Sequence, residues 1–162
     1  MEATKLFFGL LLTCAVFCIN TSFSNMETYS PIFMKRADLE NSIRFVPEGR
    51  ELMRPGKIYL KSPYIYINER YKGVHIYDNT NPEHPVNKGF ITIPGCIDIA
   101  IKGNILYADN AIDLVAIDLD SHLVTHRIMS VFPEPAHPNN SFYWHKDKPE
   151  DLVLVEWKLV TE

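Results

Sequence analysis

Short apolar runs separated by turn residues make up most of the chain beyond residue 56. Each run has four to six residues, is rich in Ile, Val, Leu and Tyr, and ends near Gly, Pro, Asn or Asp. Runs of this length and composition are typical of β-strands, and they predict an all-β fold with tight turns. One weak helical candidate, residues 36–43, lies between two prolines. The predicted strands cover residues 57–61, 64–68, 73–78, 89–93, 97–102, 105–109, 114–118 and 152–155.

The strand pattern contains an internal repeat. Lys61–Asn68 aligns with Lys102–Asp109 at an offset of 41, and Gly73–Asp78 aligns with Asp113–Asp118 at an offset of 40. A period near 40 with about four short strands per unit is typical of a β-propeller blade. The chain has room for about two such units, whereas a closed ring generally needs at least about four. We therefore expect β-propeller-like blades in a partial or truncated propeller.

The repeat has a recognisable sequence. It reads GVHIYDNTNPEHP at residues 73–85, FITIPG at 90–95 and DIAIKGNILYA at 98–108. Over about residues 56–131 the chain resembles the LVIVD-type repeat of bacterial surface propeller proteins, and its N-terminal part looks like that of uncharacterised Bacteroidetes lipoproteins of that family. The resemblance implies a scaffold exposed on the outer surface or in the periplasm, and it implies no catalytic activity.

The N-terminal segment, residues 1–25, has the pattern of an export signal. Residues 6–19 carry no charge, follow Lys5 and precede a small polar stretch. As a helix this run spans about 21 Å, which is short of the bilayer hydrocarbon core of about 30 Å. We therefore expect a signal peptide over residues 1–25 rather than a membrane span, with a buried N-terminal core helix as the alternative.

Two of the three cysteines lie in the apolar run of this leader. Residues 11–14 resemble the lipobox of bacterial lipoproteins, although Thr13 stands where a smaller residue is usual. We expect Cys14 to carry a lipid anchor in the bacterial cell envelope, with release as a soluble protein as the alternative. Only Cys96 lies outside the leader, so no intramolecular disulfide is expected. The predicted domains are a signal peptide over 1–25, an N-terminal extension over 26–55 and a repeat region over 56–162.

Charge and composition limit the classes of partner. The chain has 16 Lys plus Arg against 20 Asp plus Glu, a net charge of −4, without a run of either sign. A nucleic-acid-binding surface needs a basic stripe, so we expect no nucleic-acid partner. Hydrophobic residues at 46% supply enough apolar surface for a core and exclude intrinsic disorder. The expected partner is a protein or a glycan at the cell surface.

Four charged or polar residues lie where the predicted hairpins turn. Glu69 and Arg70 follow one strand, and Asp109 and Asn110 hold the matching place in the second unit. Loops on one face of a repeat array are where binding residues accumulate. These four residues are therefore binding candidates, with solvated hairpin charges as the alternative.

A proline-rich and aromatic segment follows the second unit, at residues 132–145. Aromatic side chains are common anchors for sugars and proteins, so Tyr143 and Trp144 are further binding candidates. The alternative is that these rings, with Phe142, cover the edge of the last sheet.

Two patterns resemble metal sites but are better explained without a metal. His122 and His126 are four residues apart, a spacing that brings ligands together on a helix. On the strand predicted here they would lie about 13 Å apart, too far for one zinc ion. The oxygen-bearing side chains of residues 78–83 suit calcium, but turn capping explains them. We therefore expect no metal and no other cofactor.

Three functions remain open. No nucleophile elbow, phosphate-binding glycine loop or Cys–His pairing occurs, so the first expectation is a non-catalytic, lipid-anchored scaffold or binding module. The second is a hydrolase or lyase that uses Glu69 and Asp109 as its carboxylates. The third is a structural subunit of an envelope assembly.

Overall fold

The chain is described here from a computed structural model, over residues 27–139 and 148–160. The prediction of an all-β fold is confirmed: the described residues form several antiparallel sheets and one short helix. Their elements are β1 (Thr28–Lys35), α1 (Arg36–Glu40), β2 (Arg44–Val46), β3 (Pro55–Lys61), β4 (Tyr64–Glu69), β5 (Gly73–Asp78), β6 (Val86–Thr92), β7 (Ile99–Lys102), β8 (Ile105–Asn110), β9 (Asp113–Asp118), β10 (Val124–Ile128) and β11 (Leu152–Val160).

Two antiparallel sheets contain most of the strands. Sheet 1 has the order β2-β6-β5-β4-β3, and sheet 2 has the order β10-β9-β8-β7. In each sheet four consecutive strands form a meander, in which every strand pairs with the next along the chain. The described residues form neither a closed barrel nor a closed propeller.

Tight turns connect the first two strands of each meander, as predicted. Ser62 and Pro63 connect β3 to β4, and Gly103 and Asn104 connect β7 to β8. Gly103 has a φ of +60°, a left-handed conformation that glycine adopts without the steric cost of a Cβ.

The two meanders have the same strand register. Equivalent positions are related by the offset of 41 in the first two strands of each meander and by the offset of 40 in the third. A register shift between the third and fourth strands also recurs at the equivalent place. Sheet 2 therefore repeats the construction of sheet 1. The equivalent pairs include Tyr59↔Tyr66 with Ala100↔Tyr107, and Tyr66↔Ile76 with Tyr107↔Ala116.

The main hydrophobic core lies between the two sheets. Side chains of a strand alternate between two faces, so each sheet has a face A, which bears Tyr66 in sheet 1 and Tyr107 in sheet 2. The opposite face B bears Ile65 and Leu106 at equivalent positions. Face A of sheet 1 packs against face B of sheet 2. The core includes Tyr66, Val74, Ile76 and Ile91 from the former and Ile99, Ile101, Leu106, Ala108, Val115 and Ile117 from the latter.

The first strands of the two meanders lie side by side. The hydroxyl of Tyr59 on β3 donates a hydrogen bond to the carbonyl of Ile101 on β7, at 2.7 Å. The ammonium of Lys57 lies 3.0 Å from the carboxylate of Asp98. These contacts hold β3 and β7 together at one end of the core.

A separate two-stranded ribbon is formed by β1 and β11. Leu39 of α1 packs with Val155 of β11 and with Ala111, in the turn between β8 and β9. Glu156 of β11 forms an ion pair with Lys72, in the turn between β4 and β5. The ribbon therefore covers the β4–β5 and β8–β9 hairpins.

The predicted extension over residues 26–55 contributes directly to these sheets. It supplies β1, α1 and β2, and β2 is the fifth strand of sheet 1. The strand predicted at residues 152–155 pairs with β1. In the part of the chain that the structure describes, no helix has the length and apolar character needed to cross a bilayer.

Candidate binding site

Glu69, at the end of β4, is buried rather than solvated. Only 2% of its surface is exposed. Its carboxylate Oε2 lies 2.8 Å from His75 Nε2 and 3.6 Å from Arg50 Nε. The His75 ring is fully buried and packs edge-on against Phe90, with 4.7 Å between centroids. Glu69 therefore links β4 to β5 and to the segment before β3, and it has little surface left for a partner.

Asp109 and Asn110 hold the loop before β7 against β8. Asp109 Oδ1 accepts hydrogen bonds from the backbone N–H groups of Ile97 at 2.9 Å and Asp98 at 2.8 Å. Burial raises the pKa of Asp109, and these hydrogen bonds offset that rise only in part. Asn110 is fully buried, and its Nδ2 donates to the carbonyl of Pro94 at 2.7 Å. Both side chains are therefore engaged within the chain.

The strand register corrects the equivalence expected between the two hairpins. Asp109 matches Asn68, and Asn110 matches Glu69, one residue away from the predicted pairing. Arg70 follows β4, and its guanidinium carbon lies 5.7 Å from the centroid of the next residue's ring. Among these four candidate hairpin residues, Arg70 is the exposed one.

Glu69 and Asp109 do not line a common site. Glu69 borders a charged cleft of about 440 Å³ between sheet 1 and the ribbon. Asp109 borders an apolar cleft of about 590 Å³ on sheet 2. Since a carboxylate pair needs both groups at one scissile bond, this arrangement does not favour the two acting together.

The two patterns that resemble metal sites, the His122 and His126 pair and the turn at residues 78–83, make contacts within the chain. His122 lies in a turn with a φ of +57°, so the prediction that it lies on a strand is wrong, and its ring stacks on Phe45 at 3.9 Å. His126 lies on β10 and is exposed. Asp78 accepts a hydrogen bond from the backbone N–H of Thr80 at 2.9 Å, which confirms turn capping. Among residues 27–139 and 148–160, no three His, Cys, Asp or Glu side chains are grouped as metal ligands.

An open apolar cleft crosses face A of sheet 2. Two adjoining cavities, of about 590 and 380 Å³, share Tyr107 and Leu114. Tyr107 is 36% exposed and Ile128 is 58% exposed. Ala100 lines the larger cavity, and Ile105 and Ile128 line the smaller one. Such a surface loses unfavourable contact with water when an apolar group covers it.

The proline-rich segment after β10 forms one wall of this cleft. Residues 132–136 line the larger cavity. The backbone N–H of Phe132 donates to the carbonyl of Ile112 at 2.9 Å, and Trp157 Nε1 donates to the carbonyl of Pro135 at 2.9 Å. These hydrogen bonds tie the wall to the turn between β8 and β9 at Phe132 and to β11 at Pro135.

Sequence reasoning singled out the segment 132–145, whose residues 132–136 form a wall of the cleft, but it missed face A of sheet 2 because its other candidates lie at hairpin ends. One signal was present in the sequence: Tyr107 matches Tyr66 at the offset of 41. Tyr66 is a core residue, whereas Tyr107 lies on face A of sheet 2, which no other sheet covers among the described residues. The other predicted site residues, Tyr143, Trp144 and the lipidation residue Cys14, lie outside the described residues.

Comparisons with known proteins found no match to a family model, to a curated protein or to a solved structure. The repeat geometry and the apolar cleft are therefore the features of the chain that bear on its function.

Proposed function

We propose that the chain is an exported, lipid-anchored and non-catalytic scaffold that binds a protein partner in the bacterial cell envelope. The pattern of residues 1–25 supports export, and the lipobox-like residues that end at Cys14 support the anchor. The resemblance of residues 56–131 to LVIVD-type repeats supports a surface or periplasmic location.

The open face A of sheet 2 is the observation that carries the binding role. Exposed apolar patches of this kind mark protein interaction sites, and aromatic residues such as Tyr107 are enriched at their centres. A glycan partner has less support, because a sugar needs several convergent hydrogen-bonding groups. The polar side chains of the cleft are divided between Asp98, Asp109 and Glu134 at the larger cavity and Thr125 and His126 at the smaller one, and most of the other lining residues are apolar.

We further propose that sheets 1 and 2 are adjacent blades of a partial β-propeller. Each has a four-stranded meander, and the two share one register. Their first strands lie side by side, with Tyr59 bonded to Ile101, as expected of inner strands around a common axis. Face-to-face packing of successive sheets is also the contact that neighbouring blades make.

Photo-crosslinking tests the binding role. A photo-reactive phenylalanine derivative is placed at Tyr107, on face A of sheet 2, in cells that produce the full chain. The matched control is Leu123, which is 66% exposed in the turn between β9 and β10. We expect a protein adduct at position 107 and none above background at position 123. Equal labelling at both positions, or no adduct at position 107, would contradict the proposal.

A further inference from the structure

The packing of the two sheets uses only half of their equivalent faces. Face A of sheet 1 and face B of sheet 2 are buried against each other. Face A of sheet 2 is open, and face B of sheet 1 is exposed along β3, at Ile58 and Leu60, while His75 and Phe90 on β5 and β6 are buried. Because the two sheets share one register, the exposed positions of β3 on face B are equivalent to the core positions of β7.

Face A keeps its core-like chemistry where it is open. In sheet 1 it supplies four buried apolar residues to the core. Their equivalents in sheet 2 are also apolar, and two of the four are identical in type. The correspondences are Tyr66 with Tyr107, Val74 with Leu114, Ile76 with Ala116, and Ile91 with Ile128.

Face B likewise keeps its apolar character where it is open. Leu60 and Ile58 on sheet 1 are 71% and 60% exposed, although their equivalents in sheet 2 are core residues. An antiparallel sheet with one solvated face normally carries polar side chains there. The correspondences are Ile58 with Ile99, Leu60 with Ile101, Ile65 with Leu106, and Ile67 with Ala108.

We infer that the protein partner of face A is a second copy of this chain, whose sheet 1 docks through face B. The contact would continue the internal interface from one copy to the next, through the exposed β3 side of face B on sheet 1. This inference rests on the proposed binding role of face A and names its partner.

Charge at the edge of the interface fits the same arrangement. Lys57 and Asp98 occupy equivalent positions, at the same offset of 41, and form an ion pair across the internal interface. In the docked copies, Asp98 of one chain faces Lys57 of the next. These two residues carry opposite charges, so their contact between the copies is attractive.

The segments that partly cover the two faces leave these positions accessible. Residues 132–136 form a wall of the larger cavity, but the cavity lined by Ile105, Tyr107 and Ile128 lies beyond them. On sheet 1, Arg50 lies over the Phe90 ring, 4.8 Å from its centroid. The exposed part of face B is on β3, at the other side of the sheet.

A contact between two different faces is heterologous, so it continues from copy to copy until the ring closes. Propellers close with about four to eight blades. With the two meander sheets of residues 55–128 as the blades of each copy, we expect closed assemblies of about two to four copies.

Two complementary variants test this geometry in the full chain. Leu60→Asp places a charge on face B of sheet 1, and Tyr107→Asp places one on face A of sheet 2. Leu123→Asp is the control on a surface outside both faces, and Ile128→Asp is a second face A variant at a more exposed position. Mass is measured by light scattering at up to about 100 µM protein, and folding is checked by circular dichroism.

We expect the unmodified chain and the Leu123→Asp control to assemble into two to four copies. Each face variant should weaken association by about 30-fold or more, since a charge replaces a central apolar contact. An equimolar mixture of Leu60→Asp and Tyr107→Asp should restore a complex, but only of two copies, because each variant keeps one intact face.

Three results would overturn the inference: a monomeric unmodified chain, an assembly that survives both face variants, or a mixture that stays monomeric. A monomer that still crosslinks to another protein at position 107 would leave the proposed binding function in place and reject only the second copy as partner. A monomer without adducts would reject both.

Discussion

Asp113 is the residue whose replacement best tests how α1, which directly follows β1 of the ribbon, is joined to sheet 2. Its side chain is fully buried at the start of β9. Oδ1 accepts hydrogen bonds from Arg36 Nη2 at 2.9 Å and from the Ser130 N–H at 3.0 Å, and Oδ2 accepts one from Arg127 Nη1 at 2.7 Å. One carboxylate therefore connects α1, β9 and the end of β10.

Asp113→Asn keeps the shape of the side chain but removes its charge and turns one acceptor into a donor that faces a guanidinium. Removal of one partner from a buried ion pair costs about 3–5 kcal/mol. The side chains of Arg36 and Arg127 are 24% and 12% exposed, so water can solvate the two guanidiniums in part when the carboxylate is removed. We expect the free energy of unfolding to fall by about 3 kcal/mol at pH 7.

The effect of pH follows from the pKa of Asp113. Burial pushes this pKa upward, but the Ser130 N–H and the Arg36 and Arg127 guanidiniums outweigh burial and hold it below its ordinary value. A lowered folded-state pKa means that the unfolded chain binds more protons, so the stabilisation is present above the unfolded pKa of about 3.9. It is lost as the pH falls through the folded-state pKa.

Urea unfolding, followed by both circular dichroism and tryptophan fluorescence, measures this difference at pH 7 and at about pH 3. Asp120→Asn is the control, because Asp120 is exposed in the next turn, and we expect no measurable change from it. The reasoning is refuted if Asp113→Asn and Asp120→Asn unfold at the same urea concentration at pH 7. It is also refuted if the loss caused by Asp113→Asn is as large at pH 3 as at pH 7.

Two further predictions use matched pairs of variants. Gly73 has a φ of +142° and no room for a Cβ against the carbonyl oxygen of Ile91, whereas Gly103 faces open space. In thermal unfolding, the free energy of unfolding should fall by at least about 3 kcal/mol for Gly73→Ala and by about 1 kcal/mol for Gly103→Ala. Equal losses for the two variants would contradict this. Cys14→Ser should abolish incorporation of labelled palmitate in bacterial cells while Cys18→Ser retains it. Label that persists in Cys14→Ser would reject Cys14 as the attachment site, and the absence of label in the unmodified chain would reject the anchor.

The repeat strands could be predicted because each depends on local pattern. A run such as Tyr64–Asn68, followed by a turn, specifies a strand without reference to the rest of the chain. The two-residue connection at Gly103 also specified the pairing of β7 with β8, since a turn of that length leaves only one register. Self-alignment then yields the offsets of 41 and 40 that the strand pairs reproduce.

The ribbon could not be predicted in the same way. β1 contains Pro31 and pairs with β11, which lies near the opposite end of the chain, so no turn or local period reveals the partner. The burial of Glu69 follows from the same long-range contacts. A polar residue at a hairpin end is solvated by default, and only Arg50, His75 and the covering ribbon change that environment.

The apolar character of β8 can be interpreted only from the arrangement of the sheets. β8 reads Ile105, Leu106, Tyr107 and Ala108 without alternation between apolar and polar residues. Leu106 and Ala108 lie in the core, so the adjacent Ile105 and Tyr107 must point to the other face. A strand that is apolar on both faces is typical of a sheet covered on both faces. The apolar character of β8 on both faces is therefore what the proposed covering of face A of sheet 2 leads us to expect.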